Sequence, residues 1–374
     1  MKLVNVGDIC RFEYGKSLSE KYRQPGDVVV YGSNGPVGRH SKSFTDGPTI
    51  IIGRKGSIGA VHVSANSCWP IDTTYFIDKS CTDCNLEWLA FYLQHLRLDE
   101  LNKASGVPGL NRDDAYKQQL WLPETENEQR QIAARLKAQL AEVETARQAA
   151  QAQLRDADLL RTRLLRKTFD ALRDVPRKRL GECATTTSGS TPPRGDKRYW
   201  SPAEIPWVKT GEVAFVPIAK TEESISRQAL AECSLTLLPP RTVLIAMYGQ
   251  GKTRGQSAIL EIEATTNQAC FAILPNDTWD ADFLHYWLMA SYEHLRGLSD
   301  GRGGNQANLN AGLLNDLKIP APDINEQRRI AARLKSQLAE TGALRAALIA
   351  QRDEIERLPS RLLAQVFESK AATS

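Results

Sequence analysis

The chain has 374 residues, of which 41% are hydrophobic and 25% charged, and 48 Lys and Arg against 44 Asp and Glu give a net charge of +4. These proportions are typical of a globular protein of two or three domains, and they exclude wholesale disorder, a collagen-like fibre and a bundle of membrane-spanning helices. So balanced a charge permits nucleic-acid binding without indicating it, and evidence for such binding has to come from motifs.

The N-terminus and the cysteines indicate the compartment. Residues 1–8 lack the apolar stretch of a signal peptide, and no apolar run approaches the roughly 18 residues that span a bilayer. We therefore expect a cytoplasmic protein whose seven cysteines are reduced thiols. Cys81 and Cys84 have the spacing of half a zinc site, but no second such pair follows, so we interpret them as incidental and predict no metal site.

The first globular region, residues 1–124, has short β-rich runs that end in polar, glycine-rich loops. Residues 27–31 lead into Gly-Ser-Asn-Gly-Pro at 32–36, and residues 49–52 lead into Gly-Arg-Lys-Gly-Ser-Ile-Gly at 53–59. Such loops can bring Arg and Lys to guanine or phosphate and Asn to adenine, although solvated surface turns are the alternative for any single loop. The candidate DNA-contacting residues of this region are Tyr31, Ser33, Asn34, Arg39, Arg54, Lys55, Ser57, Asn111 and Arg112.

A long helix is predicted next, within residues 125–176. From Glu126 to Phe169 there is no Gly or Pro, and the strong helix formers Ala, Leu, Arg, Gln and Glu dominate. Apolar residues recur every seven positions, which predicts a coiled-coil seam on a helix about 65 Å long. The seam consists of Leu136, Val143, Ala150, Ala157 and Leu164, with Leu140 and Leu154 in the neighbouring column.

The second globular region, residues 177–322, repeats the pattern, because a β-rich run at 242–248 leads into Gly-Gln-Gly-Lys-Thr-Arg-Gly at 249–255. Gly249 to Thr253 resembles the end of a Walker A motif, but its first glycine would fall at Ala246 and no helical run follows, so we do not expect ATP binding. No nucleophile elbow or HExxH motif is present, and we predict no catalytic residues. The candidate DNA-contacting residues of this region are Ser190, Thr191, Arg194, Lys197, Tyr199, Lys209, Tyr248, Gln250, Lys252, Thr253, Arg254, Asn305 and Gln306.

A second long helix is predicted within residues 323–374. Residues 325–340 repeat residues 127–142 at fourteen of sixteen positions, 198 residues later. Pro359 lies late in this helix and predicts a kink or a local break. The seam column consists of Leu334, Leu348, Ile355 and Leu362, and its partner column drifts, as in a straighter helix, through Leu338, Leu344 and Leu358.

The near-identity of the two helix starts includes polar positions, which packing along a seam does not constrain. We therefore predict an exposed surface that is used twice, for two copies of one partner. A generic dimerising coiled coil and a recent duplication are the alternatives. The candidate partner-binding residues are Asn127, Gln129, Arg130, Arg135, Asn325, Gln327, Arg328 and Arg333.

The regions upstream of the two helices match more faintly but in the same order, so we interpret the chain as a duplication of one domain-plus-helix unit. The predicted fold class is α+β, with two globular domains of mixed β-structure and helices joined by two long helices. A lone amphipathic helix of this length cannot bury its apolar stripe. We therefore expect an antiparallel coiled coil, a pseudo-twofold internal repeat and the globular domains at opposite ends. Docking of each helix on a separate partner or a second chain is the alternative.

Several motifs occur in a fixed order along the chain. They are residues 31–35 and 53–56 in the first region, residues 188–200, 205–211, 246–254 and 265–268 in the second, and the Asn-Glu-Gln-Arg start of each helix. On these motifs the sequence resembles the specificity (S) subunits of type I restriction–modification systems over essentially its whole length. The resemblance implies two target-recognition domains that each read one half of a split DNA sequence, and helices that set the spacer between the halves.

The resemblance also implies partners, which are double-stranded DNA, two modification subunits that methylate adenine, and restriction subunits that translocate and cut DNA. S-adenosylmethionine, ATP and Mg²⁺ would then belong to the partner subunits, and this chain would have no cofactor, no metal, no catalytic residue and no membrane contact. A DNA-binding regulatory or tethering module outside a restriction system is the alternative. An NTPase is a third class, which titration with ATP would test.

Overall fold

The computed structural model describes residues 1–101, 109–249, 251–298 and 308–368. These residues divide into two units, which we call unit 1 and unit 2. Unit 1 consists of residues 1–152 together with the end of the chain from residue 349, and unit 2 consists of residues 153–348. The division into residues 1–124, 125–176, 177–322 and 323–374 stays a prediction.

The secondary structure of the described residues is as follows. The strands are β1 (Lys2–Asn5), β2 (Glu13–Tyr14), β3 (Val28–Gly32), β4 (Gly35–His40), β5 (Thr49–Gly53), β6 (Val61–Ser64), β7 (Cys68–Pro70), β8 (Thr74–Ile77), β9 (Gln119–Leu122), β10 (Arg177–Arg179), β11 (Thr186–Ser188), β12 (Ile205–Val208), β13 (Glu223–Ile225), β14 (Val243–Ala246), β15 (Ser257–Ile259), β16 (Thr265–Thr266), β17 (Cys270–Ile273) and β18 (Lys318–Pro320). The α-helices are α1 (Val6–Ile9), α2 (Leu86–His95), α3 (Arg112–Tyr116), α4 (Glu126–Asp170), α5 (Leu180–Cys183), α6 (Arg227–Glu232), α7 (Ala281–Ala290), α8 (Tyr292–Gly297), α9 (Ala311–Asn315) and α10 (Ile324–Phe367).

The main sheet of unit 1 has the strand order β2-β8-β5-β6, and all its neighbours are antiparallel. Its central strand β5 reads Thr-Ile-Ile-Ile-Gly and is buried along its whole length, an environment that suits β-branched residues. In a second sheet β3 pairs antiparallel with β4 and parallel with β7. The strands β1 and β9 pair antiparallel in a separate two-stranded sheet. Trp88, Leu89 and Leu93 of α2 are fully buried and complete the core over the main sheet.

Unit 2 repeats this topology strand for strand. Its main sheet has the order β11-β17-β14-β15, β12 pairs antiparallel with β13 and parallel with β16, and β10 pairs with β18. The helix α7 takes the place of α2, with Phe283 and Leu288 fully buried in the core. The duplication that the 198-residue offset predicted is therefore confirmed at the level of the fold.

The long helices α4 and α10 each contribute to both cores. In unit 1, Leu136 near the start of α4 shares a core with Phe367 at the end of α10. In unit 2, Phe169 at the end of α4 shares a core with Leu334 near the start of α10. Within each unit the two helical segments therefore run antiparallel, as predicted. No helix in the described ranges is both long enough and apolar enough to cross a membrane.

Five of the fourteen predicted seam residues are buried and eight are half-buried, but the second column is wrong at one position. Leu136, Ala150 and Ala157 in α4, and Leu334 and Ile355 in α10, are buried. Leu344, by contrast, is 48% exposed. Leu344 follows Leu338 by six residues, which at 3.6 residues per turn places it roughly 120° around the helix from Leu338.

The local break expected at Pro359 is also wrong, because α10 continues through this residue to Phe367. Proline removes one backbone hydrogen bond from a helix interior and is usually disruptive there. Leu363, Val366 and Phe367 beyond it are buried in the core of unit 1. We attribute the persistence of the helix to this burial, which outweighs the local preference.

Candidate nucleic-acid interface

The loop that follows β5 in unit 1 is fixed by backbone hydrogen bonds. The N–H groups of Arg54 and Lys55 donate to Thr73 O at 2.9 and 3.1 Å. The Leu110 N–H donates to Arg54 O at 2.9 Å, which brings the start of α3 beside the same loop. Gly56 has a φ of +80°, a left-handed conformation that glycine adopts without a steric penalty. The side chains of this loop are therefore presented from a defined backbone.

Two arginines and two tyrosines meet at this loop, and we call Tyr14, Arg54, Tyr75 and Arg112 the Arg54 cluster. The guanidinium carbon of Arg54 lies 5.2 Å from the ring centroid of Tyr14 and 5.9 Å from that of Tyr75. The guanidinium carbon of Arg112 lies 5.4 Å from the Tyr14 centroid. Cation–π stacking of this kind orients a planar guanidinium group. The Nε atoms of both arginines are buried without a hydrogen-bond partner.

The Arg54 cluster keeps its positive charge. Burial, together with the neighbouring Tyr14, raises the pKa of Tyr75 to about 12, so that this phenol stays neutral beside the two guanidinium groups. Its hydroxyl donates to Leu110 O at 3.2 Å. Within the described ranges, no carboxylate forms an ion pair with Arg54 or Arg112. Since Tyr14 is 49% exposed, the cluster offers a cationic and partly aromatic surface to an anion or a base.

Several other predicted residues of unit 1 lie beside this cluster. Ser33 and Asn34 form the turn between β3 and β4. A Cβ atom placed on Gly56 would lie 3.2 Å from Ser33 Oγ, so this turn adjoins the loop after β5. Lys55 of that loop is exposed, whereas Ser57 and the strand residue Tyr31 are half-buried.

Two predicted residues of unit 1 have other positions or roles. Asn111 caps α3, since its Oδ1 accepts from the Asp113 N–H at 2.8 Å, and we interpret this side chain as structural. Arg39 lies towards the far end of β4, about 16 Å from Asn34 at the usual rise of a strand. Its Nη1 donates to Asp27 O at 2.9 Å. The structure does not bring Arg39 to the Arg54 cluster.

In unit 2 two of the predicted cations, Arg194 and Lys209, are paired with one carboxylate. We call Arg194, Trp200, Trp207, Lys209 and Glu223 the Arg194 cluster. The guanidinium carbon of Arg194 lies 4.0 Å from the Trp200 ring centroid and 4.9 Å from that of Trp207. Arg194 forms an ion pair with Glu223, and Lys209 Nζ lies 3.2 Å from the same carboxylate. The hydrogen bond from Arg194 lowers the pKa of Glu223, so the carboxylate stays charged and a phosphate would have to displace it.

Side chains of α8 form hydrogen bonds with the backbone of the loop at residues 251–255. Arg296 Nη1 donates to Gly251 O at 2.7 Å and to Arg254 O at 3.2 Å. The Tyr292 hydroxyl donates to Lys252 O at 2.6 Å. These bonds use backbone carbonyls only, and the Lys252 side chain is exposed.

The remaining predicted residues of unit 2 have varied surroundings. The Thr191 hydroxyl bonds to Gln268, and the Tyr199 hydroxyl donates to Glu232 at 3.0 Å. Lys197 and Tyr248 are exposed, and Ser190 and Thr253 are half-buried. The predictions at Gln250, Asn305 and Gln306 lie outside the described residues.

The two glutamines of the predicted partner surface are buried, which corrects their interpretation. Gln129 Oε1 accepts from the Asn85 N–H at 2.7 Å, and Gln327 Oε1 accepts from the Asp280 N–H at 2.9 Å. These amides therefore fasten each long helix to the N-terminus of α2 or α7, and an internal hydrogen bond explains why glutamine recurs there. The other predicted residues of that surface are exposed, namely Asn127, Arg130, Arg135, Asn325, Arg328 and Arg333.

The sequence did not single out Tyr14, Trp200, Trp207 or Glu223 as parts of the two clusters. Tyr14 lies in a strand of two residues outside any glycine-rich loop, and Glu223 lies on the distant strand β13. The run 194–200 did place an arginine near a tryptophan. In the described part of the chain, no group of three or more His, Cys, Asp or Glu residues could hold a metal ion.

Comparison with known protein families finds a family that matches two segments of the chain. The family described as type I restriction modification DNA specificity domain matches residues 1–153 and 173–351. The type I restriction enzyme EcoR124I/EcoR124II specificity subunit of Escherichia coli is 26% identical over 158 residues, which are 42% of this chain and 39% of that protein. The MjaIX specificity subunit of Methanocaldococcus jannaschii is 30% identical over 159 residues, which are 41% of this chain and 35% of that protein. The chain therefore matches less than half of the length of either relative.

Solved structures resemble the whole fold. A chain from a structure concerning complex assembly and conformational transition of the type I R-M system aligns with a TM-score of 0.73 at 17% identity, covering 98% of this chain and 97% of that one. The HsdS subunit from Thermoanaerobacter tengcongensis aligns with a TM-score of 0.61 at 18% identity, covering 98% and 96%. At such identities the likeness shows a shared fold.

Proposed function

The chain belongs to the type I restriction modification DNA specificity domain family, and from this premise we propose that it is the sequence-specific DNA-recognition subunit of a type I restriction–modification complex. One observation carries the proposal, which is that this DNA specificity domain is matched twice, once in each half of the chain. Each half would read one part of a bipartite DNA site, and α4 and α10 would set the spacer between the two parts. The subunit would work on cytoplasmic DNA and would itself be non-catalytic.

The geometry of the two clusters supports different modes of DNA contact. Arg54 and Arg112 have no competing carboxylate in the described ranges and are pre-oriented by tyrosine rings, which suits bidentate bonding to guanine or to a phosphate. Arg194 and Lys209 share Glu223. An incoming phosphate has to exchange with that carboxylate, whereas cytosine N4 could donate to it. The Arg194 cluster would therefore discriminate more strongly against wrong sequences.

The proposed partners are two modification subunits and the restriction subunits. S-adenosylmethionine, ATP and Mg²⁺ would be bound by those partners. Co-expression of the chain with its modification subunit, followed by mapping of methylated adenines, tests the function directly. We expect methylation within one motif of two half-sites separated by a fixed spacer, and methylation without such a motif would contradict the proposal.

We expect Arg54→Ala to weaken binding to the cognate duplex by roughly 1–3 kcal/mol and to relax one base position. The reason is the loss of one of the two oriented guanidinium groups of the Arg54 cluster. Binding to the cognate duplex and to single-base variants, measured at one salt concentration, checks this. Arg39→Ala is the matched control and should leave sequence preference unchanged. Equal weakening on every duplex would identify Arg54 as a phosphate contact and contradict base readout.

We expect charge reversal at Arg130 and Arg328 together to impair assembly with the modification subunits while leaving the fold intact. Both side chains are exposed at equivalent positions of the repeat, so each would meet one copy of the same partner. Size-exclusion chromatography of the mixed subunits measures assembly, and circular dichroism measures the fold. Arg155→Glu, an exposed charge reversal outside the repeated segment, is the control. Normal assembly of the double variant would remove these residues from the interface.

A further inference from the structure

A cleft of about 580 Å³ opens within unit 2, between the segments of α4 and α10 in that unit and the edge of the main sheet. Its volume lies in the range of pockets that hold small molecules. Ile259 and Leu260 line it from the sheet, and Phe215, Tyr286 and Met289 supply further aromatic and apolar surface. None of these residues belongs to the Arg194 cluster, so the cleft is a separate feature of unit 2.

The backbone around the cleft is held in an uncommon conformation. Phe215 and Arg241 both line the cleft, and both have a left-handed φ, at +62° and +70°. Side chains other than glycine rarely adopt such angles, which persist only where surrounding contacts enforce them. The Phe215 N–H donates to Ser257 O at 2.9 Å, and the Arg241 N–H donates to Leu260 O at 2.7 Å. The sheet edge therefore pins the two residues that shape the wall.

A buried histidine adds a polar group to the wall. His285 lines the cleft and is only 5% exposed. Its Nδ1 lies 3.0 Å from Ser257 Oγ, which fixes the orientation of the ring. The other ring nitrogen, Nε2, is then available for a hydrogen bond to a molecule in the cleft.

The charges around the cleft leave two cations unpaired. Four cationic and three acidic side chains line it. Arg345 pairs with Asp158 at 2.7 Å, and Arg241 pairs with Asp282 at 2.7 Å. The third carboxylate, that of Glu261, has no ion pair among the described residues. Within those same residues, Arg161 and Lys335 also have no carboxylate partner.

The repeat shows that the free lysine is specific to unit 2. Lys137, at the position equivalent to Lys335, forms an ion pair of 2.6 Å with Glu87, the second residue of α2. Asp282 is the second residue of α7 but bonds to Arg241, so Lys335 remains without its equivalent partner. In unit 2 Arg241 therefore occupies the carboxylate of Asp282, and the Lys335 side chain is left open to an anionic ligand.

We propose that this cleft binds a small organic anion with an aromatic or apolar body. Its anionic group lies against Arg161 and Lys335, its ring system packs on Phe215 and Tyr286, and His285 Nε2 bonds to a polar atom of the ligand. Occupancy of the cleft would tie α4 and α10 to the second globular region. This proposal is independent of the DNA-recognition function.

The test uses the full chain and two fluorescent probes that share one ring system, 8-anilinonaphthalene-1-sulfonate and the uncharged N-phenyl-1-naphthylamine. We expect saturable binding of one sulfonate per chain. Arg161→Ala combined with Lys335→Ala should weaken sulfonate binding about tenfold and change binding of the uncharged probe less than about twofold. Arg163→Ala, an exposed change on the same helix outside the cleft, should alter neither.

A blocking variant separates the cleft from other apolar surfaces. Gly342 lines the cleft, and a Cβ atom there would meet nothing within 4 Å, so Gly342→Trp can fill the space without disturbing the fold. We expect it to abolish saturable binding of both probes while the circular dichroism spectrum stays unchanged. Undiminished sulfonate binding by Gly342→Trp would overturn the proposal. An equal loss of both probes in the Arg161 and Lys335 double variant would overturn the anionic character of the ligand.

Discussion

Replacing Gln327 by alanine is expected to lower the free energy of unfolding of unit 2 by about 3–5 kcal/mol. The Gln327 side chain is 0% exposed. Its Oε1 accepts from the Asp280 N–H, and its Nε2 donates to Thr278 O and Pro322 O at 2.8 and 2.9 Å. Alanine leaves these three partly buried backbone groups without partners and adds a small cavity. Urea unfolding followed by tryptophan fluorescence, to which the nearby buried Trp279 contributes, measures the effect.

The repeat supplies the control for this prediction. Gln129→Ala removes the bond to the Asn85 N–H and should destabilise unit 1 by only about 1–2 kcal/mol. Gln131 is an exposed residue of α4 two positions after Gln129, and Gln131→Ala should change the free energy of unfolding by less than about 0.5 kcal/mol. If Gln327→Ala were as stable as Gln131→Ala, the fastening role of the repeated glutamine would be wrong.

Unit 2 is expected to lose about 2 kcal/mol of its free energy of unfolding between pH 7 and pH 5 because of His285 alone. Burial is the main reason that the pKa of this imidazole is lowered from 6.5 to about 4; Asp282 opposes the change and Arg161 contributes to it. In the unfolded chain the ring takes up a proton near pH 6.5, whereas in the folded chain it does so only near pH 4. The unfolded state therefore binds more protons in this window, so stability falls as the pH falls through 6.5 and levels off below about 4.

Comparing urea midpoints at pH 7 and pH 5 for His285→Gln and the unchanged chain isolates this contribution. Any loss of the bond to Ser257 affects both pH values alike, and the stability of the variant should depend less on pH, by about 2 kcal/mol over the window. An unaltered pH dependence in His285→Gln would show that the ring takes up its proton at the same pH in the folded and unfolded chains.

Composition and repetition were sufficient to predict the helices and the duplication. The long stretch free of Gly and Pro predicts α4, and the near-identical segment 198 residues later predicts α10, since helix formation depends on local sequence. The strand order β2-β8-β5-β6 was not predictable, because pairing between strands far apart in sequence leaves little local trace. Leu344 and Pro359 show the limit of local rules. Leu344 is exposed although it is apolar, and α10 continues through Pro359 because the residues beyond it are buried.

The sequence predicted the cations of the candidate site but not the side chains that they contact. Arg54 and Arg194 stand out because they lie in polar loops next to glycine. Tyr14 is forty residues before Arg54, and Glu223 is 29 residues after Arg194. Only the folded chain shows that both arginines are stacked, and that Arg194 is paired with a carboxylate while Arg54 bonds to the backbone oxygen of Asp72. Gln129 and Gln327 were misread for a related reason. A repeated polar residue looks the same in a sequence whether it faces a partner or a buried backbone N–H.

The way in which the chain closes on itself bears on its synthesis. The core of unit 1 includes Leu363, Val366 and Phe367, and the Phe367 ring centroid lies 4.2 Å from that of Tyr92. During synthesis, residues 1–152 therefore leave the ribosome long before the C-terminal segment that covers their apolar surface. Residues 153–348 of unit 2, by contrast, emerge as one uninterrupted stretch. The half of the protein that is made first is completed last. During that interval the apolar surface that Leu363, Val366 and Phe367 later cover is open to other proteins, chaperones included.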